Sequence, residues 1–211
     1  MAIEGINYEW KSYPITTDTG YQIMMFRITA DPTGVALTPT KGPMLLVHGM
    51  FSDPTDFFSR TDETTPALPV QLAMAGYDVW IGCTRGRSNT LDHATIDQTD
   101  AEGKFNYWNF SFEEVGREDI NSMVDNIIAD RNQVDECNKV TIVTHSTGAN
   151  SALVAASDSS LQLSSKVGKI INLAPCLSIN IEKFWLPVRD LESIKAFYNA
   201  LDLYNITDLF G

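Results

Sequence analysis

Cysteine, histidine and long apolar runs are all scarce in this chain of 211 residues. The three cysteines, Cys83, Cys137 and Cys176, are odd in number and far apart, and none lies in a Cys-x-x-Cys pair or a Cys/His cluster. This spacing indicates neither a disulfide framework nor a zinc site. We therefore expect no bound metal, and buried free thiols are the simplest interpretation of the cysteines.

Signals for a membrane or a nucleic acid are missing as well. No apolar run reaches the roughly 20 residues that a membrane-spanning helix needs, and residues 1–7 have neither the basic nor the apolar part of a secretory signal. The formal net charge of −12 argues against nucleic acid and anionic membrane surfaces as partners. Two glycosylation sequons, at Asn109 and Asn205, would matter only in a secretory compartment, so the compartment stays open.

The order of the predicted elements indicates a single α/β domain. Strands at residues 13–17 and 21–27 flank the turn Asp18-Thr19-Gly20 and predict an N-terminal hairpin. Further strands are predicted at residues 43–47, 77–81, 140–143 and 169–173, and helices at 67–75, 112–128 and 149–156. Strands that alternate with helices after a hairpin are typical of a mainly parallel sheet.

Ser146 stands between an apolar strand and a helix of small residues, within Thr144-His145-Ser146-Thr147-Gly148. This order of strand, sharp turn and helix predicts a nucleophile elbow. In such a turn the backbone N–H of the next residue, Thr147, is the first oxyanion donor, and the second comes from the loop after an early strand. Met50, which follows His48-Gly49, is the candidate for that second backbone donor. The alternative is that Ser146 is only a helix cap.

Motifs spread along most of the chain form a collinear set. They comprise the N-terminal hairpin, Gly42 to Met50 with Ser52-Asp53, Leu72 to Gly86, His93, Phe105 to Glu114, and Val167 to Pro175. This set resembles the acid lipases, the gastric and lysosomal type of the α/β-hydrolase superfamily, from about residue 13 to residue 175. The resemblance implies an α/β-hydrolase fold and an esterase of triacylglycerols or steryl esters that needs no cofactor. It also implies a secreted or lysosomal protein.

Two features depart from the acid-lipase pattern. Thr144 stands at the first position of the elbow, where that family has glycine, which predicts altered packing in the turn. The triad order in this fold is Ser, then Asp or Glu, then His, but no histidine follows Ser146. We expect His48 and His93 to be structural loop residues. His145 neighbours Ser146 on a tight turn, which makes it a poor general base.

The resemblance therefore predicts a single, incomplete α/β-hydrolase domain over residues 1–211, which stops before the cap and the last strands. Residues 181–211 would begin the cap or form a covering helix. Three functions stay open: a lipid-ester hydrolase whose acid and histidine lie elsewhere, a non-catalytic lipase paralogue, and a small-ester hydrolase or acyltransferase of the same fold. We predict weak or no turnover from these residues alone, because loss of a triad member leaves only oxyanion and binding effects.

For an ion pair, an acidic segment and a group of aromatic residues, we expect structural rather than functional roles. Arg85 and Asp119 are a candidate buried ion pair that supports the loop after the strand at 77–81. The acids between Asp97 and Glu102 are expected in a solvated loop. We expect core and loop packing, rather than a lipid-binding surface, for the aromatic residues Phe105, Tyr107, Trp108, Phe110 and Phe112.

Overall fold

A six-stranded, mainly parallel sheet organises the computed structural model, which describes residues 9–31, 33–59, 65–87, 90–131 and 139–175. The strands are β1 (Trp10–Thr16), β2 (Gln22–Ile28), β3 (Pro43–Val47), β4 (Asp78–Cys83), β5 (Val140–His145) and β6 (Val167–Leu173). Their order across the sheet is β1-β2-β4-β3-β5-β6. The pairs β4–β3, β3–β5 and β5–β6 are parallel. The predicted fold class, a mainly parallel sheet with an N-terminal hairpin, is confirmed.

The N-terminal hairpin extends the sheet on one side of β4. Strands β1 and β2 pair antiparallel, with Thr16 opposite Gln22. Gly20 closes the turn at a φ of 102°, a left-handed conformation that glycine adopts without steric cost. Strand β2 then pairs antiparallel with β4, with Met24 opposite Cys83, so the hairpin turn lies near the carboxyl end of β4.

Helices cover the sheet between its strands. They are α1 (Leu68–Met74), α2 (Ala101–Trp108), α3 (Phe112–Glu114), α4 (Asn121–Arg131), α5 (Thr147–Ser157) and α6 (Leu163–Lys166), with short 3₁₀ segments at Pro54–Phe58 and Ser159–Leu161. A π-helical segment, Val115–Ile120, joins α3 to α4. The expectation of a loop over residues 97–102 is wrong at its end, because Asp100 caps α2 and accepts a hydrogen bond from the Gly103 N–H.

Two apolar layers, one on each face of the sheet, form the core. Strand β3 is buried along its whole length, and its residues alternate between the layers. Leu45 and Val47 pack with residues of α4 and α5, whereas Met44 and Leu46 pack with residues of α1 and the first 3₁₀ segment. Burial on both faces is typical of parallel strands between helices, and it holds the carboxyl end of β3 rigidly in place.

Strand β6 lies at the edge of the sheet as far as the described residues go. Ile171 is 42% exposed and Leu173 is 39% exposed. Residues 181–211, for which a cap or covering helix is predicted, lie outside the described ranges, as do Cys137 and Cys176. Cys83 is a buried free thiol. Within the described part of the chain, no helix is long and apolar enough to cross a membrane.

Candidate active site

Ser146 occupies a strained turn between β5 and α5. Its φ of 52° and ψ of −122° lie in a region that residues other than glycine seldom adopt. Its backbone N–H donates to the Leu173 carbonyl oxygen at 3.0 Å, and its own carbonyl accepts from the Ala149 N–H at 3.1 Å. These bonds anchor the turn to β6 on one side and to the first turn of α5 on the other. This is the backbone geometry expected of a nucleophile elbow.

Two glycines allow the loop after β3 to touch this turn. A Cβ atom on Gly49 would lie 2.8 Å from the Ser146 Cβ and 3.4 Å from its Oγ. A Cβ atom on Gly148 would lie 2.6 Å from the His48 carbonyl oxygen. Side chains at either position would force the loop and the helix apart. Gly49 of the His-Gly pattern and Gly148 of the elbow therefore both permit the same close contact between the loop after β3 and the Ser146 turn.

Strained residues gather at this edge of the sheet. Besides Gln162, which lies before α6, the non-glycine residues with positive φ in the described part of the chain are Ser146, Phe51 at 59° and Ala174 at 47°. These three residues follow β5, β3 and β6, which are neighbouring parallel strands. Strain of this kind clusters at functional sites, where the surrounding structure has to maintain it. Sequence reasoning missed Phe51 and Ala174, because neither residue type is typical of a left-handed conformation.

The structure brings the three predicted site residues together. The Met50 N–H donates to the Thr147 Oγ1 at 2.6 Å, so one candidate oxyanion donor is hydrogen-bonded to the side chain of the other. Thr147 is the first residue of α5, and first-turn N–H groups have no acceptor within the helix. The roles of Ser146, Met50 and Thr147 in catalysis remain predictions.

His48 braces the loop after β3. Its Nδ1 lies 2.8 Å from the Gly49 carbonyl oxygen, and its Nε2 accepts a hydrogen bond from the Thr84 N–H at 3.3 Å. This arrangement requires the neutral tautomer with a proton on Nδ1. Burial lowers the pKa of His48 from 6.5 to about 4, which favours the neutral form. With both ring nitrogens engaged, His48 has the geometry of a structural residue.

The other two histidines have different surroundings. The Nδ1 of His93 accepts hydrogen bonds from the Thr95 and Ile96 N–H groups at 3.1 and 3.0 Å, and its ring packs edge-on against Tyr21. Burial lowers the pKa of His93 from its ordinary value. His145 is the last residue of β5, opposite Leu173 of β6. Neither the contacts of His93 nor the pairing of His145 with Leu173 links an imidazole to the Ser146 hydroxyl.

Thr144 fits at the first position of the elbow because β6 offers it a partner. Its side chain is fully buried, and its Oγ1 donates to the Asn172 Oδ1 at 2.6 Å. Residues 144 and 172 face each other in the parallel pair β5–β6. The hydroxyl is thus satisfied where it would otherwise be costly to bury.

Arg85 joins the loop after β4 to the π-helical segment. Its backbone N–H and guanidinium donate to the Asp119 carboxylate at 2.7 to 2.9 Å, and the guanidinium also contacts Glu118. The guanidinium lies 3.7 Å from the centre of the Tyr21 ring. Burial acts to lower the pKa of Arg85, but the charges and hydrogen bonds of Asp119 and Glu118 together outweigh it and the net pKa is raised, so the side chain stays charged. The proposed buried pair is present.

Apolar side chains border the same edge of the sheet. Met50 is 51% exposed and Phe51 is 65% exposed, immediately after the glycine that touches Ser146. In the aromatic cluster only Tyr107 is fully buried, while Phe105 is 70% exposed. The expectation that these aromatics serve mainly in packing is therefore wrong for Phe105. Trp108 is half exposed and packs against Gly86 of the loop after β4.

Within the described ranges, no three His, Cys, Asp or Glu side chains are grouped in a way that would hold a metal ion. The site consists of a serine, backbone N–H groups and a threonine hydroxyl. Those groups suit acyl transfer, which needs a nucleophile and preorganised donors for the developing oxyanion. The absence of a metal and a cofactor stays a prediction.

The chain is similar in sequence to known lipases. Residues 2–61 match the family described as the partial alpha/beta-hydrolase lipase region. The chain is 30% identical over 180 residues to the lysosomal acid lipase/cholesteryl ester hydrolase of Rattus norvegicus, which covers 83% of this chain and 42% of that protein. It is 29% identical over 171 residues to lipase member N of Homo sapiens, covering 81% of this chain and 40% of the relative. The chain therefore spans less than half the length of these relatives.

Solved structures share the fold at lower identity. The esterase Pf2001 of Pyrococcus furiosus superposes with a TM-score of 0.52 at 16% identity, and the match covers 100% of this chain and 63% of the esterase. This similarity shows the α/β-hydrolase fold. Together with the relatives, it confirms the predicted resemblance to the acid lipases.

Proposed function

We propose that this relative of the acid lipases, with its α/β-hydrolase fold, acts on lipid esters through Ser146 as the nucleophile. The observation that carries the proposal is the strained Ser146 turn in direct contact with Gly49. A serine that only caps a helix has no need of a backbone with positive φ or of a second loop packed against it, and the Ser146 side chain makes no capping hydrogen bond. Both features serve to present a hydroxyl beside oxyanion donors.

The proposed reaction follows from the groups around the turn. The Ser146 Oγ attacks the ester carbonyl carbon, its proton passes to a general base, and the carbonyl oxygen becomes an oxyanion. The Thr147 N–H at the start of α5 stabilises that charge. Collapse of the tetrahedral intermediate expels the alcohol and leaves an acyl group on Ser146, which water then removes.

We expect none of the three histidines, all of which lie in the described ranges, to act as that base. His48 uses both ring nitrogens for structural bonds, His93 is bonded within its own loop, and His145 neighbours Ser146 on a tight turn. Triad members act as a unit, so without the base most of the rate enhancement is lost. We therefore expect the 211 residues to form an acyl-serine slowly and to release it more slowly still.

Two observations favour lipid esters over small polar ones. Met50 and Phe51, whose apolar side chains are exposed, directly follow Gly49, which contacts Ser146, so they could offer contact to an acyl chain or an apolar alcohol. The relatives include a protein named as a cholesteryl ester hydrolase. A hydrolase of small esters would gain little from exposed apolar side chains at this position.

Acylation by p-nitrophenyl esters tests the proposal. Intact-mass measurement after incubation with p-nitrophenyl butyrate should show one acyl group, peptide mapping should locate it on Ser146, and Ser146→Ala should abolish it. Esters of increasing chain length should acylate faster up to a medium chain, whereas a small-ester hydrolase would prefer acetate. A chain that never acquires an acyl group on Ser146 would support the non-catalytic alternative and contradict the proposal.

A further inference from the structure

The hydrogen bond between Met50 and Thr147 affects the oxyanion donors directly. The Met50 N–H, the predicted second donor, points at the Thr147 Oγ1 at a distance of 2.6 Å. A backbone N–H has one hydrogen, and a bond of this length directs it at the threonine oxygen. An incoming carbonyl oxygen would have to displace the threonine hydroxyl before it could take the Met50 donor for itself.

The threonine hydroxyl, however, carries a donor of its own. A hydroxyl accepts hydrogen bonds through two lone pairs and donates through one hydrogen, which rotates freely about the C–O bond. The Thr147 Oγ1 can therefore keep the bond from Met50 and direct its hydrogen elsewhere. A hydroxyl that accepts one hydrogen bond becomes a better donor, because successive bonds polarise one another.

Thr147 also holds the right place in the chain for this task. It directly follows the nucleophile, it is the first residue of α5, and its side chain is half-buried between the helix and the loop after β3. Its backbone N–H and its hydroxyl thus come from a single residue next to Ser146. Gly49, in contact with Ser146, directly precedes Met50, whose N–H donates to that hydroxyl.

We propose that the Thr147 hydroxyl is the second oxyanion donor and that the Met50 N–H supports it from behind. This inference rests on the proposed function of Ser146. In the tetrahedral intermediate the oxyanion receives hydrogen bonds from the Thr147 N–H and the Thr147 Oγ–H. The threonine keeps its proton throughout, so the step breaks no bond at Oγ. The proposal reassigns the predicted role of Met50 from direct donor to support.

The alternative is that the Thr147 hydroxyl only blocks the Met50 N–H, and it predicts the opposite change in the rate of Ser146 acylation when the hydroxyl is removed. If the hydroxyl merely blocks the Met50 N–H, removal of the hydroxyl frees that donor, and acylation of Ser146 stays equal or becomes faster. If the hydroxyl is itself the donor, its removal slows acylation. The two arrangements are thus distinguished by one substitution.

The test compares Thr147→Val, which keeps the branched shape, with Thr147→Ser, which keeps the hydroxyl, in the full 211-residue chain. The probe is p-nitrophenyl butyrate, and the readouts are the saturating rate of Ser146 acylation and the ester concentration at half that rate. We expect valine to lower the saturating rate about 100-fold, the effect of removing one oxyanion donor. Serine should stay within roughly threefold of wild type, and the half-saturating concentration should change little, because the donor acts on the transition state.

Two further variants keep the result interpretable. Thr147→Ala also lacks the hydroxyl and suits the first turn of a helix, so the conclusion does not depend on the folding of the valine variant. Thr33→Val removes a hydroxyl that bonds Asp31 at 2.7 Å in the turn after β2, near the amino edge of the sheet, and should leave acylation unchanged.

The acylation rates of these variants separate the proposal for Thr147 from the proposal for Ser146. Slow acylation in the valine and alanine variants with recovery in the serine variant supports the threonine donor. Acylation of the valine variant at or above the wild-type rate overturns this inference and leaves the nucleophile proposal standing. A wild-type chain that is not acylated at Ser146 overturns both.

Discussion

Gly148 lies so close to His48 that a Cβ atom added to the glycine would stand 2.6 Å from the His48 carbonyl oxygen. The same atom would stand 3.0 Å from the Val47 carbonyl oxygen. Both oxygens belong to the backbone at the end of β3, which is buried on both faces and has no room to move. The first turn of α5 and the loop after β3 are thus held as one unit around Ser146.

Gly148→Ala should displace that unit. A shift of about 1 Å in a catalytic group can cost around 100-fold in rate, and overpacking costs about 1–3 kcal/mol of stability. We expect the acylation rate of Ser146 and the free energy of unfolding to fall by these amounts. The two measurements are intact mass after incubation with an activated ester and urea denaturation.

Gly168→Ala is the matched control for that substitution. A Cβ atom on Gly168 of β6 would meet only the Lys139 side chain, at 3.3 Å or more. The nearer of these atoms is the Lys139 Cβ, a contact that needs a shift of only a few tenths of an ångström, whereas the Cβ on Gly148 would meet two backbone oxygens at 3.0 Å or less. Both readouts should remain near the wild-type values in this variant, and wild-type acylation of Gly148→Ala would contradict the account.

Protonation of His48 should destabilise the fold. Burial lowers the pKa of His48 in the folded chain to about 4, whereas the unfolded chain has the ordinary value of 6.5. Between these pH values the unfolded state binds more protons, so stability is fully present above pH 6.5 and falls as the pH drops toward 4. The loss should reach about 3 kcal/mol for this shift.

His48→Asn isolates the contribution of this histidine to the pH dependence. The asparagine amide can still donate to a nearby carbonyl, but it does not titrate. Urea denaturation from pH 4 to pH 7 should show a smaller slope in the variant than in wild type. Equal slopes in the two chains would mean that His48 is not held neutral by burial.

Breaking the Arg85–Asp119 pair should cost much more than breaking a surface pair. Asp119→Ala leaves a buried guanidinium without its main partner, which typically costs 3–5 kcal/mol. Arg117→Ala removes exposed pairs with Glu113 and Asp158, which are worth about 0–1 kcal/mol each. Urea denaturation of both variants measures the difference, and comparable losses would be inconsistent with a structural role for the buried pair.

The sheet was predictable because its strands are marked by local signals. The apolar run at residues 43–47 is the observed β3 to the residue, and the predicted elbow strand at residues 140–143 extends by only two residues to His145. Burial on both faces makes such strands continuously apolar, a pattern that sequence alone reveals. The alternation of strands with helices predicted the parallel pairing, whereas the order β1-β2-β4-β3-β5-β6 across the sheet was not predicted.

The π-helical segment was not predicted, although its signal was present. The helical spacing of apolar residues is interrupted between Val115 and Met123, where the segment carries Glu118 and Asp119. An extra residue in the turn allows these two neighbouring carboxylates to reach Arg85. A periodicity argument that assumes 3.6 residues per turn misses such an insertion.

Side-chain hydrogen bonds at the elbow could not be predicted. The partner of Thr144 is Asn172, 28 residues later in the chain, and the partner of the Met50 N–H is Thr147. Both bonds depend on the parallel packing of neighbouring strands and on side-chain rotamers. Residue types alone placed Ser146, Thr147 and Met50 at one edge, but not in these contacts.

Phosphonylation of Ser146, compared between the folded and the urea-unfolded chain, tests whether the native fold activates this serine. A p-nitrophenyl alkylphosphonate modifies serines, and peptide mapping gives the rate at each serine. An elbow with oxyanion donors should accelerate modification of Ser146 by about 10³-fold over the unfolded chain even without a general base. We expect a single adduct, on Ser146, that depends on the native fold. Modification of Ser146 no faster than that of other serines, or equally fast in urea, would contradict it.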